Sequence, residues 1–281
     1  MKITFLAAML ILSVVNLFAD YAGNYLAAER LISQGSNEEA RVAFEELAAV
    51  TPEPRSQGQC LSLAIQALIR QKKYDEAMKL ADKIKDRFIA VNCRMTVLLE
   101  KNAAKELITA FADENISQWP EYLNHHGFFK RGRAYYLAHD SEKAAADLTK
   151  AIELAGCNRI MKAEAFMFLA NMAGDSDKKL DYGLKILDLK KVSYVYMEAI
   201  MWVADIYIKK NQFDEAEKIL RMMNPAIGGY WKFRLLARYG DLEFARGNKA
   251  KAKEYYEQAL KIDHPYKIFI EQVKKQLEEM K

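Results

Sequence analysis

The residues best able to do chemistry in this chain are its four histidines, His125, His126, His139 and His264, and its three cysteines, Cys60, Cys93 and Cys157. Adjacent histidines on a helix leave the axis about 100° apart, so His125 and His126 are expected to point in different directions. No His-Glu-x-x-His pair and no closely spaced cysteine pair accompanies them, so the spacing predicts no metal site. Three cysteines cannot all pair within one chain, and small buried thiols are the expected state, with a Cys60 to Cys93 bridge as the alternative. The chain has no Gly-x-Ser-x-Gly elbow, phosphate-binding glycine loop or dinucleotide fingerprint. The carboxylate pairs Glu38-Glu39 and Glu278-Glu279 lie in periodic, solvated segments. The reading is therefore of a protein without catalytic residues, cofactor or metal.

What remains is recognition chemistry. The densest local candidate is the run from His125 to Arg133, which gathers two histidines, Phe128, Phe129, Lys130, Arg131 and Arg133. An acidic partner segment fits such a mixture of aromatic and cationic groups. Whether these side chains share a surface depends on the elements that carry them.

Those elements are helices. Only 12 Gly and 5 Pro punctuate 281 residues, and Ala, Leu, Glu and Lys dominate the rest, all of them good helix formers. No segment shows the apolar and polar alternation of a strand. One local pattern recurs along the chain. Phe128, Gly132 and Tyr135 precede a break at His139-Asp140-Ser141, and Ala144, Leu148 and Ala151 follow it. Ile200, Val203, Ala204 and Tyr207 precede Asn211-Gln212, then Ala216, Leu220 and Met223. Leu236, Tyr239 and Gly240 precede Gly247-Asn248, then Ala252, Tyr256, Ala259 and Pro265.

This pattern resembles the tetratricopeptide repeat, a pair of antiparallel helices of about 34 residues. The small residues Gly132, Ala204 and Gly240 would let the second helix cross the first at short range. Taking Ala40, Ala77, Ala104, Ala144, Leu180, Ala216 and Ala252 as markers gives spacings of 37, 27, 40, 36, 36 and 36. The third unit departs from the period and reads as a shortened pair or a plain bend. The expectation is an all-α, right-handed superhelical solenoid of about seven units over residues 20–265, closed by a capping helix over 266–281.

The resemblance implies a groove lined by the first helix of each pair. With Phe128 and Tyr135 assigned to packing, the stripe Phe129, Arg133 and Tyr136 is expected to face that groove, its members one turn apart. Tyr25 and Glu29 form the equivalent stripe in the first unit, Met201, Asp205 and Ile208 in the sixth, and Arg234, Asp241 and Phe244 in the seventh. Packing between adjacent repeats is the alternative role for any of these aromatics. Family members that clamp a C-terminal carboxylate place Lys and Asn on these helices; here Phe129, Met201 and Ala237 stand where Lys is wanted, so that ligand is not expected.

Lys2 followed by the apolar run Ile3–Ala19 has the pattern of a secretory signal, with cleavage expected before Asp20 and a retained anchor as the alternative. No other segment approaches membrane length. The formal net charge of +4 is too small to imply a nucleic-acid partner. Together these features predict an exported, periplasmic or extracellular scaffold that binds a protein or peptide, the alternative being an exported solute- or glycan-binding module.

Overall fold

The computed structural model describes residues 21–190, 194–224, 228–263 and 267–280. The predicted signal segment, His264 and Pro265 lie outside the described residues. Within them every regular element is helical. The first helices of successive pairs are α1 (residues 21–34), α3 (Pro54–Arg70), α5 (Arg87–Glu100), α7 (Glu121–Leu137), α9 (Arg159–Met172), α11 (Tyr194–Lys209) and α13 (Gly229–Ala245). Their second helices are α2 (Asn37–Val50), α4 (Tyr74–Ala81), α6 (Ala104–Phe111), α8 (Ser141–Glu153), α10 (Ser176–Asp188), α12 (Phe213–Leu220) and α14 (Lys249–Leu260). The final helix α15 (Lys267–Glu279) packs on α14, where the sequence predicts a cap.

Six of the seven pairs turn in the same way, and the backbone shows why. Gly35, Lys72, Asn102, His139, Asn211 and Gly247 all adopt positive φ, between 57° and 84°. The following residue then donates its N–H to a carbonyl five positions back, as in Lys73 to Leu68, Ala103 to Leu98 and Asp140 to Tyr135. This left-handed cap satisfies carbonyls that the helix end would leave bare. His139 is thus a turn residue.

The common turn also corrects the repeat register. In these pairs the buried marker lies five residues beyond the positive-φ residue, at Ala40, Ala77, Ala144, Ala216 and Ala252, each with no exposed surface. In the third pair that position is Leu107, also fully buried, and not Ala104. The intervals on either side become 30 and 37 residues. A shortened unit remains, because α5 has 14 residues where α3 and α7 have 17.

The chain divides into two compact units at Gly156, the first holding α1 to α8 and the second α9 to α15. In the first, α3 packs on α5 and α5 on α7, so the first helices stand side by side. In the second, α11 packs on both α9 and α13. The close crossings rest on small residues, as the sequence predicts. A Cβ on Gly132 would sit 2.9 Å from Leu148, and one on Gly240 would sit 2.4 Å from the ring of Tyr256. Tyr256 is fully buried there and its hydroxyl donates to Asp241 at 2.7 Å. Among the described residues no helix is long and apolar enough to cross a membrane.

Candidate functional site

Three first helices build the richest polar face of the first unit. The acidic side chains of Glu53 and Asp86 cap α3 and α5 by accepting the N–H groups of Arg55 and Ser56, and of Phe88 and Ile89. Near these fixed ends the Arg55 guanidinium lies 3.8 Å from the ring centre of Tyr122, linking α3 to α7 across the start of α5. From Tyr122, one face of α7 continues through His126, Lys130 and Arg133. All four residues are partly exposed.

Lys130 has an unusual setting. Its ammonium donates to the backbone oxygen of Asn92 at 3.0 Å and to the Asn92 side-chain oxygen at 2.6 Å. Both partners are neutral, and among the described residues no carboxylate pairs with it. Surrounding protein strips its hydration and pushes its pKa down to about 8. The same burial, reinforced by the charge of Lys130 and by His125, holds His126 at about 4, so this imidazole is neutral near pH 7. Burial likewise raises the Cys93 thiol, which contacts the hydroxyl of Ser62 at 3.1 Å.

The run from His125 to Arg133 therefore does not act as one surface. Arg131 turns to the opposite side of α7, where it grips Asp147 at 2.7 and 3.0 Å and donates to the Glu114 carbonyl at 3.1 Å. Phe128 and Phe129 are buried. For Phe129, only 8% exposed, this departs from the predicted groove position. Arg133 pairs with Glu100 of α5 at 3.3 Å, and Tyr136 stays half-buried. The two histidine rings also depart from expectation: rotation about their side-chain bonds brings their centres to 4.2 Å. Among the described residues no group of three metal-ligating side chains is present. The three cysteines are free thiols, Cys60 contacting Tyr21 at 3.1 Å. On α1, Tyr25 packs edge-on against Phe44, at 5.6 Å between ring centres, while Glu29 is exposed.

In the second unit the charged positions are internally matched. Arg234 donates to Glu198 at 2.6 Å, and the rings of Tyr230, Trp231 and Phe269 surround its guanidinium at 5.3 to 5.7 Å. Arg238 bridges Asp205 and Asp241 at 2.8 and 2.9 Å, and Lys209 also pairs with Asp205. Burial pushes the Asp241 carboxyl up, against the pull of Arg238 and Tyr256. A cavity of about 240 Å³ opens between α13 and α15, lined by Arg234, Arg238, Asp241, Phe269, Gln272 and Gln276 among others. Met201 and Ile208 belong to the apolar core. Met201 is 1% exposed, which corrects its assignment to the groove. Phe244 packs against the terminal core around Phe233 and Tyr256.

The predicted stripe of Phe129, Arg133 and Tyr136 thus shares only Arg133 with the open face of α7 that runs through Tyr122, His126 and Lys130. The sequence carried a signal for the latter set, since its members recur every four residues.

Residues 198–221 and 233–264 match the family model described as tetratricopeptide repeat. Each matched segment coincides with one helical pair, α11 with α12 and α13 with α14. No curated protein matches the chain. Among solved structures, the chain is similar to the C-terminal part of a repeat-containing protein from Cytophaga hutchinsonii. The two share 17% identity, with 88% of this chain and 98% of that one covered, at a TM-score of 0.55. It is also similar to a human IFIT1 dimer with PPP-AAAA, at 16% identity and a TM-score of 0.52, with 85% of this chain and 54% of that one covered. At these identities the likeness is one of fold.

Proposed function

We propose that this tetratricopeptide repeat protein is a non-enzymatic, exported scaffold that holds a segment of a protein partner against the first helices of its repeats. The observation that carries the reading is the accessible row of Arg55, Tyr122, His126 and Arg133, mounted on three helices locked together by packing. Such a face supplies aromatic and hydrogen-bonding contacts without large reordering of backbone, which favours binding of an extended or helical segment. Placement outside the cytoplasm is supported by Lys2 and the apolar run that follows it.

Crosslinked capture from the native cell envelope tests the first part: one specific protein should be recovered with the wild type and lost with the double variant Tyr122→Ala and Arg133→Ala. Recovery unchanged by that variant counts against this face. N-terminal sequencing of the protein from fractionated cells tests export, with Asp20 expected as the first residue. The cavity between α13 and α15, with its glutamines and aromatic rim, favours a second reading as a small-solute or glycan binder. Sugar-dependent thermal stabilisation, without a captured protein, would support that reading.

A further inference from the structure

We propose that the cavity between α13 and α15 holds one neutral sugar ring, either free or as the terminal unit of a glycan. The inference rests on the small-solute reading above, gives it a ligand class, and stands apart from the partner-binding face of the first unit. Two helical rows frame the cavity, Arg234, Arg238 and Asp241 on α13 and Phe269, Gln272 and Gln276 on α15, the members of each about one turn apart. Phe233 and Val273, both buried, and the small Ala237 supply the apolar part of the lining.

Charge in this cavity is already answered. Arg234 pairs with Glu198, and Arg238 pairs with Asp205 and Asp241, so a charged ligand would have to displace an existing ion pair. The hydrogen-bonding capacity is not answered. Each guanidinium spends only its Nη1 on those carboxylates and keeps its other N–H donors. Gln272 and Gln276 make no hydrogen bond among the described residues and add two amides, each a donor and an acceptor. An apolar ligand would strip water from these groups and leave them unpaired. Hydroxyls fit, because each both donates and accepts. Arg238 donates to Asp241 at 2.9 Å, so a donor and an acceptor stand side by side. Two adjacent ring hydroxyls can use both, one accepting from the guanidinium and the other donating to the carboxylate, which the Tyr256 hydroxyl holds in place. A peptide matches this less well, since its N–H groups only donate and its carbonyls only accept. Phe269 and the apolar lining meet the C–H face of the ring. The volume of about 240 Å³ lies below the roughly 300–1,000 Å³ of pockets for drug-sized ligands, which limits the occupant to a single ring.

Titration calorimetry on the full chain tests this with glucose, galactose, mannose and N-acetylglucosamine as probes and with lactose and chitobiose as linked forms. Glucuronate and cyclohexanol are the charged and apolar controls. One or more neutral sugars should bind saturably, roughly tenfold more tightly than either control. Ala237→Leu fills the cavity without removing an ion pair and should weaken that binding roughly tenfold. Gln276→Ala, which strands no polar group inside the protein, should weaken it about threefold, as for one lost hydrogen bond, and decides the matter if the leucine variant misfolds. Preference for a disaccharide assigns the site to a glycan end and preference for a monosaccharide to a free sugar; both support the proposal. Binding that ignores both substitutions overturns it, as does binding lost in the Tyr122 and Arg133 double variant. A control that binds as tightly as the neutral sugars overturns it and leaves the small-solute reading standing, whereas no binding by any probe removes both. Crosslinked capture that survives Ala237→Leu leaves the scaffold reading untouched in every case.

Discussion

Two first helices carry a cation in the middle of a packed face, and the fold treats the two cations in opposite ways. On α13, Arg238 meets Asp205 and Asp241, and Asp241 in turn accepts from the buried Tyr256. On α7, Lys130 meets only the two oxygens of Asn92. The first arrangement is self-sufficient: charge, hydrogen bonds and burial are all answered within the unit. The second leaves a desolvated charge in the free protein. Since stacked helix pairs are stabilised mainly by apolar contacts between neighbours, the array can tolerate that local cost without losing its fold.

The sharpest way to test this contrast is to remove each cation. Arg238→Met leaves the largely enclosed Asp241 with Tyr256 but no cation, while Asp205 keeps Lys209, and should destabilise the protein by about 2–3 kcal/mol, less than breaking a fully buried pair because solvent reaches part of the site. A urea midpoint equal to wild type would show that the cluster is only a surface ion pair. Tyr256→Phe removes a hydroxyl from the same carboxylate without opening a cavity, and a loss of roughly 1.5–2 kcal/mol is expected. Lys130→Met should have the reverse sign, raising stability by about 1–2 kcal/mol, because a methionine fills similar space without a charge. If all three substitutions destabilise, the distinction between the two regions disappears.

The repeat was readable because its small residues answer a fixed geometric need. A Cβ at Gly132 or Gly240 would collide with the partner helix, and Ala204 is fully buried, so their spacing survives in the sequence. The third unit was misregistered because its buried marker is a leucine, Leu107, where the other turns place an alanine. Glycine marks the positive-φ position at Gly35 and Gly247, but Lys72, Asn102, His139 and Asn211 fill it elsewhere. The nearby Ala104 matched the small-residue pattern and so passed for the marker that Leu107 provides. Periodicity also identified a shared face on α7 and α11 but not the depth of each residue within the packing, and Phe129 and Met201 proved buried. Lys130 was still harder to single out, since its distinction is the lack of a carboxylate across the seam. That depends on which residue α5 brings there.

The smallest effect is also the most specific. Lys130 is held at about pH 8 in the folded protein, against an ordinary lysine value of 10.5. Below pH 8 it is charged in both states, so the full desolvation cost opposes folding. Between pH 8 and 10.5 the unfolded chain binds more protons than the folded one, and stability attributable to this group rises with pH. Above 10.5 it is neutral in both states and contributes nothing. The stability gap by which Lys130→Met exceeds wild type should therefore be flat from pH 6 to 7 and shrink across the range from 8 to 10.5. Tyrosines that titrate late, Tyr256 among them, shift both proteins alike and cancel in the difference. A gap that stays constant through pH 10 would mean that side-chain packing, and not an unanswered charge, separates the variants.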